Sequence, residues 1–293
     1  MERQNVVIFG TLESLAAVVS FLSSFRIFWV IVGSKDLRAL SSYQIMAGIA
    51  FIECCQLTGN FMGGVMLIAN TMFVDELAYA FGNVILVSWM VIIFLRFSLA
   101  LNRFIVITDY RILAILKLKI VHIVFLVTTA VLLLGLIILA ILLKDTYVIS
   151  FDNATWNYRR INEIAQLETI FATGFTPVSF VIYICTGVHV FMIRSKVSAS
   201  GLTEIRLLIS CASGFFYEMC EVILFHYVLP NIERQATDYA ICVVFWILLP
   251  AFNGVMLLWL NQSFRKRFFS RRWHSFELTS AVFVRTSSVS PRS

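Results

Sequence analysis

Several ionisable side chains stand inside long apolar stretches of this sequence, where each needs a partner or water to offset the cost of burying charge. Glu53 is followed by Gln56 and Asn60 at spacings of three and seven, so all three share one helical face. Arg96 lies two helical turns before Arg103, also within an apolar run. Glu53 and Arg96 are expected either to pair or to share a hydrated pocket. A pair that fixes packing without any signalling role is the competing reading. Further along, Glu218 and Glu221 are three apart and His226 is less than two turns beyond. These three predict an inward wall suited to a cationic or hydrogen-bonding ligand, with Asn60 and Trp89 as further candidate contacts. Polar satisfaction between neighbouring helices is the alternative for that wall. Glu13 is placed close enough to the outer surface to reach water and carries less weight.

The same residue types do not assemble an enzyme. His122 and His189 fall near one surface, His226 near the other and His274 in the tail, so no three-histidine zinc site is expected. Cys211-Ala212-Ser213-Gly214 sits in a continuous apolar run with no histidine at its depth, which argues against a serine nucleophile there. No metal and no cofactor are expected.

The elements that must position these residues follow from composition. The chain is 60% hydrophobic and only 14% charged, with mean hydropathy +0.88, too apolar for a water-soluble protein. A membrane span needs about 20 apolar residues at about 1.5 Å each. Seven runs meet that length: Val6 to Val32, Tyr43 to Ala69, Leu77 to Leu101, Ile120 to Leu143, Ile170 to Ile193, Ile205 to Leu229 and Tyr239 to Leu260. The alternating pattern of a membrane barrel is absent, so an all-α membrane protein is predicted. With the amino terminus outside, sixteen Lys and Arg fall on the cytoplasmic side and five outside, which sets the orientation. The net charge of +6 is therefore assigned to inner-leaflet lipid and cytoplasmic partners, and no nucleic acid is expected.

The transmembrane domain is taken as residues 1–262 and the cytoplasmic tail as 263–293. Ser263 to Trp273 reads as a basic amphipathic helix on the inner leaflet, followed from Thr279 by a Ser/Thr-rich disordered end. The longest outer connection, Lys144 to Glu168, carries the glycosylation acceptor Asn153-Ala154-Thr155. All six cysteines fall inside the apolar runs, so no outer disulfide framework is expected. Pro177 and Pro250 are expected to kink the fifth and seventh helices, with or without a hinge role.

Tyr43-Gln44-Ile45-Met46, Gly48-Ile49, Glu53, Gln56-Leu57, Asn60 and Gly63-Gly64 precede Trp89 and Leu99-Ala100-Leu101-Asn102-Arg103-Phe104. Pro250-Ala251, Leu258-Trp259-Leu260-Asn261 and Ser263-Phe264-Arg265 close the seventh run. This pattern resembles the nematode serpentine chemoreceptors, most closely class T, with class X next. The resemblance implies a seven-transmembrane bundle of the G-protein-coupled receptor type with a short amphipathic helix after helix seven. It implies a plasma-membrane, multi-pass chemosensory receptor, with the sensory-neuron cilium as one location. Its partners would be a small-molecule ligand, a heterotrimeric G protein and the lipid membrane. Arg103, after Asn102, would match the arginine that gates G-protein access, Glu53 the acidic position of helix two, and Pro250 the proline of the seventh-helix switch. Asn253 is grouped with that switch. Arg194 and Arg206 would join Arg103 on the partner surface. Asn102 departs from the acid that precedes the arginine in rhodopsin-like receptors, and helix six lacks an internal proline. A small-solute transporter or a ligand-gated channel is the alternative, although the seven spans show no related halves.

Overall fold

The computed structural model describes residues 1–108, 129–130, 134–135, 138, 147–158, 163–193, 199–231 and 236–269. The helices are α1 (Arg3–Gly33), α2 (Lys35–Arg38), α3 (Ser41–Ala69), α4 (Asp75–Thr108), α5 (Glu163–Ile193), α6 (Ala199–Ile223), α7 (Ala236–Leu260) and α8 (Gln262–Phe268). Two strands, β1 (Tyr147–Ser150) and β2 (Thr155–Tyr158), lie between α4 and α5. Among the described residues six helices are long and apolar enough to cross a membrane. They are the first, second, third, fifth, sixth and seventh predicted spans. The fourth, Ile120 to Leu143, lies outside the described residues except for 129–130, 134–135 and 138.

The six long helices close into a ring, with neighbours in the order α1, α3, α4, α5, α6, α7 and back to α1. Large apolar side chains point away from it: Leu15, Ile170, Val255, Phe191 and Trp259 are all more than half exposed, while Glu53, Arg96, Arg103 and Glu218 are buried. Apolar groups outside and ionised types inside is the arrangement lipid selects. Without a hydrophobic drive between helices, close approach comes from small residues. At Gly64 a Cβ would stand 2.6 Å from the Gly10 carbonyl oxygen, so only glycine lets α1 and α3 touch there.

Three features differ from the sequence expectations. The connection Lys144 to Glu168, to which the sequence assigned no element, holds a hairpin: β1 and β2 pair antiparallel, Tyr147 opposite Tyr158 and Ser150 opposite Thr155. Ala154 takes a left-handed φ of 48° in the tight turn. The hairpin plugs the end of the ring, with Ile149, Ala154 and Trp156 buried. The Met1 amino group donates to the Asp152 carbonyl at 3.2 Å, so the amino terminus lies beside the hairpin. Glu13, expected near water, is fully buried. Finally, α8 docks on protein: Phe264 is fully buried and stacks on Tyr43 with ring centroids 6.3 Å apart. Asn261 caps α8 by accepting from the Phe264 N–H at 3.0 Å and donates to the Tyr43 hydroxyl at 2.7 Å. Trp273 and the rest of the tail fall outside the described residues.

Candidate functional site

Three acidic or basic side chains converge in the middle of the ring. Arg96 on α4 places Nη2 at 3.1 Å from Glu53 Oε1 on α3 and Nη1 at 2.8 Å from Glu218 Oε2 on α6. Ser24 on α1 donates to the other Glu53 oxygen at 2.8 Å. The guanidinium ties three helices, because its planar fork can serve two carboxyls at once, and Ser24 adds α1 through Glu53. The Glu53–Arg96 pairing agrees with the sequence expectation. Glu218 does not lie on the ligand wall assigned to it. Glu218 and Glu221 are one turn apart, which separates them by about 4.5 Å along α6, and the deeper of the two reaches Arg96. A cavity of about 80 Å³ opens beside this triad, lined among others by Glu53, Arg96, Tyr183, Ser210 and Asn253.

A second, larger cavity of about 150 Å³ lies at the hairpin end. Trp89, Trp246, Tyr158, Glu168, Glu221 and His226 are part of its wall, and Tyr147 and Trp156 of the hairpin close it. The Trp89 and Trp246 rings meet edge to face at 5.4 Å. Trp89 Nε1 donates to Glu168 Oε1 at 3.0 Å, and His226 Nε2 lies 3.6 Å from the same oxygen. Burial and the nearby Glu168 carboxylate raise the Tyr147 and Tyr158 phenols above their usual range, and Tyr158 is also hydrogen-bonded to Glu168. Both hydroxyls therefore stay protonated and able to donate at neutral pH. Phe225 and His226 reach the cavity from a π-helical stretch, Leu224–Val228, that continues α6. Such turns often occur at functional sites.

Of the predicted ligand contacts, Trp89, Glu221 and His226 line this cavity. Asn60 and Gln56 are buried on α3 and line neither cavity. Glu168 was not among the sequence candidates. An acid one turn inside the fifth helix was the available signal, and starting that span at Ile170 hid it.

The other end of the ring holds the Leu-Asn-Arg motif. Asn102 accepts from Ser41 Oγ at 3.0 Å and donates to Ser42 Oγ at 2.6 Å, stitching α4 to the start of α3. Arg103 is buried at 1% exposure, whereas Arg206 is exposed. Arg194 lies outside the described residues. At Pro250 the helix loses one amide donor, and side chains engage carbonyls nearby: Tyr217 donates to Phe245 O at 2.9 Å and Ser20 to Ile247 O at 2.7 Å. Asn253, one turn further, packs its amide against Gly214 of α6. Asn153 sits half-buried in the hairpin turn. Among the described residues no group of three or more His, Cys, Asp or Glu side chains is placed to hold a metal ion.

A scan against protein-family models finds no match, and a search of curated proteins finds none. Among solved structures, the crystal structure of squid rhodopsin matches with a TM-score of 0.68 at 12% identity, covering 91% of this chain and 85% of that one. At that identity the likeness speaks of the fold, and the chain is a multi-pass helical membrane protein with the fold of squid rhodopsin.

Proposed function

We propose that the chain is a G-protein-coupled chemosensory receptor that binds a small molecule in the hairpin-end cavity and signals to a heterotrimeric G protein at the opposite end. The resemblance of its Tyr43, Asn102-Arg103 and Pro250 segments to nematode serpentine receptors supports that assignment, as does the rhodopsin-like fold. The observation that carries the reading is the placement of two acids on α6. Glu221 lines the outer cavity, and Glu218, one turn deeper, holds Arg96. A ligand that draws Glu221 toward itself moves the turn that also grips the triad. The ligand then favours one of two bundle arrangements by its differential affinity for them. A seven-span bundle would take its fourth span from the apolar run Ile120 to Leu143, as the sequence predicts.

The test is a G-protein activation assay in a heterologous cell, with surface-expressed protein challenged by an odorant panel. A ligand-dependent signal that Arg103→Ala abolishes without lowering surface expression supports the receptor. Solute flux or current independent of Arg103 would replace it with the transporter or channel.

A further inference from the structure

The hairpin-end cavity has a chemical character more specific than its size. Half of its fourteen lining residues are aromatic, and its acids are Glu168 and Glu221. No Lys or Arg lines it among the described residues. The two acids differ in how they are used. Glu168 is engaged by Trp89, Tyr158 and His226. Glu221 is only 7% exposed, and its Oε2 has no hydrogen-bond partner among the described residues. A buried carboxyl oxygen left unpaired is costly, so a native structure that keeps one invites an explanation from what binds there. Aromatic faces attract cations, most strongly where water is excluded. A cavity of about 150 Å³ is the size that accepts one benzene-like ring.

Resting on the reading of this cavity as the ligand site, we infer that its ligand is a small organic ammonium ion with one ring-sized apolar part. The ammonium group sits on Glu221, and the apolar part lies among Trp89, Trp246 and Phe225. A neutral molecule of the same shape can still donate a hydrogen bond to Glu221 but brings no charge to it, and binds worse. Anions meet two carboxyls and are excluded.

Three probes of similar size test this: benzylamine, its isostere benzyl alcohol, and benzoate. Binding is read as the ligand-dependent rise in melting temperature and the quenching of tryptophan fluorescence of the full chain in lipid nanodiscs, with no G protein present. Benzylamine is expected to bind about tenfold or more tightly than benzyl alcohol, and benzoate not at all. Glu221→Gln should remove that preference while Glu221→Asp keeps most of it, which separates loss of the counter-charge from loss of folding. Equal binding of amine and alcohol, or an amine preference that survives in Glu221→Gln, overturns the inference. Failure of all three probes to bind overturns it as well. The receptor reading fails separately: amine binding with no G-protein activation removes the signalling role and leaves the ammonium site. Activation by neutral odorants, unchanged in Glu221→Gln, keeps the receptor and removes the ammonium site.

Discussion

Arg96 faces two carboxyls in a layer with almost no access to water, and the three groups stand or fall together. Removing Arg96 alone leaves Glu53 and Glu218 uncompensated, whereas neutralising all three removes the burden along with the attraction. Arg96→Ala is therefore expected to destabilise the bundle by about 3–5 kcal/mol. The triple variant Arg96→Met, Glu53→Gln, Glu218→Gln should recover most of that loss in thermal unfolding of the purified protein. Equal destabilisation of the two variants would mean that packing volume, not charge, holds this layer. The Glu53–Arg96 pair was legible in the sequence, because two opposite charges inside apolar runs must find each other. Glu218 was legible as buried and inward but not as the third member. Its partner depends on the depth at which α6 sits beside α4, and periodicity along one helix says nothing of the offset between two.

Between the helices, the hairpin and α8 are the elements that close the two ends. The hairpin fits against α4 only because residue 82 is glycine: a Cβ there would run into the Tyr147 carbonyl. Gly82→Leu is expected to lift the strands, at a cost of about 1–3 kcal/mol. Amide exchange over residues 147–158 should accelerate while exchange in the middle of α3 and α4 stays slow. At the opposite end, Asn261→Ala removes both the α8 cap and the bond to Tyr43, about 1 kcal/mol for the cap alone. A spin label on Arg265→Cys should then become more mobile. The apolar runs revealed the spans to within a few residues at most ends, but not the hairpin. A four-residue strand in a connection has too few alternating positions to stand out, and what orders it is contact with Gly63 and Gly82, distant in sequence. In α8 the sequence predicted an amphipathic helix, and Phe264 is its buried residue while Phe269 is exposed. The partner of Phe264 was not legible, because an apolar face looks the same in sequence whether lipid or Tyr43 covers it.

At the scale of the whole molecule, buried charge and exposed apolar surface together require a bilayer, and the charge count predicts its direction. A cysteine placed at Asp152, exposed in the hairpin turn, is expected to react with a membrane-impermeant maleimide on intact cells. One placed at Lys266, exposed on α8, should react only after permeabilisation. The reverse pattern would invert the topology and put the ammonium cavity on the cytoplasmic face. The direction rests on counting Lys and Arg, and this labelling pattern is its test. The two cavities were not legible in the sequence, since each forms where side chains from several helices fail to fill the space between them.

The hairpin also lacks any covalent tether to the helices it covers. None of the six cysteines is in a disulfide, and each lies within α3, α5, α6 or α7. What holds the plug shut is the stacking of Tyr147 on Trp156 at 6.1 Å and their fit against two glycines. For a molecule that enters past the hairpin, the barrier is one of packing, crossed by thermal loosening of two rings rather than by breaking a bond. Its height is expected to rise or fall with the bulk of residues 63 and 82, and reducing agents in the medium are expected to leave the rate of passage unchanged.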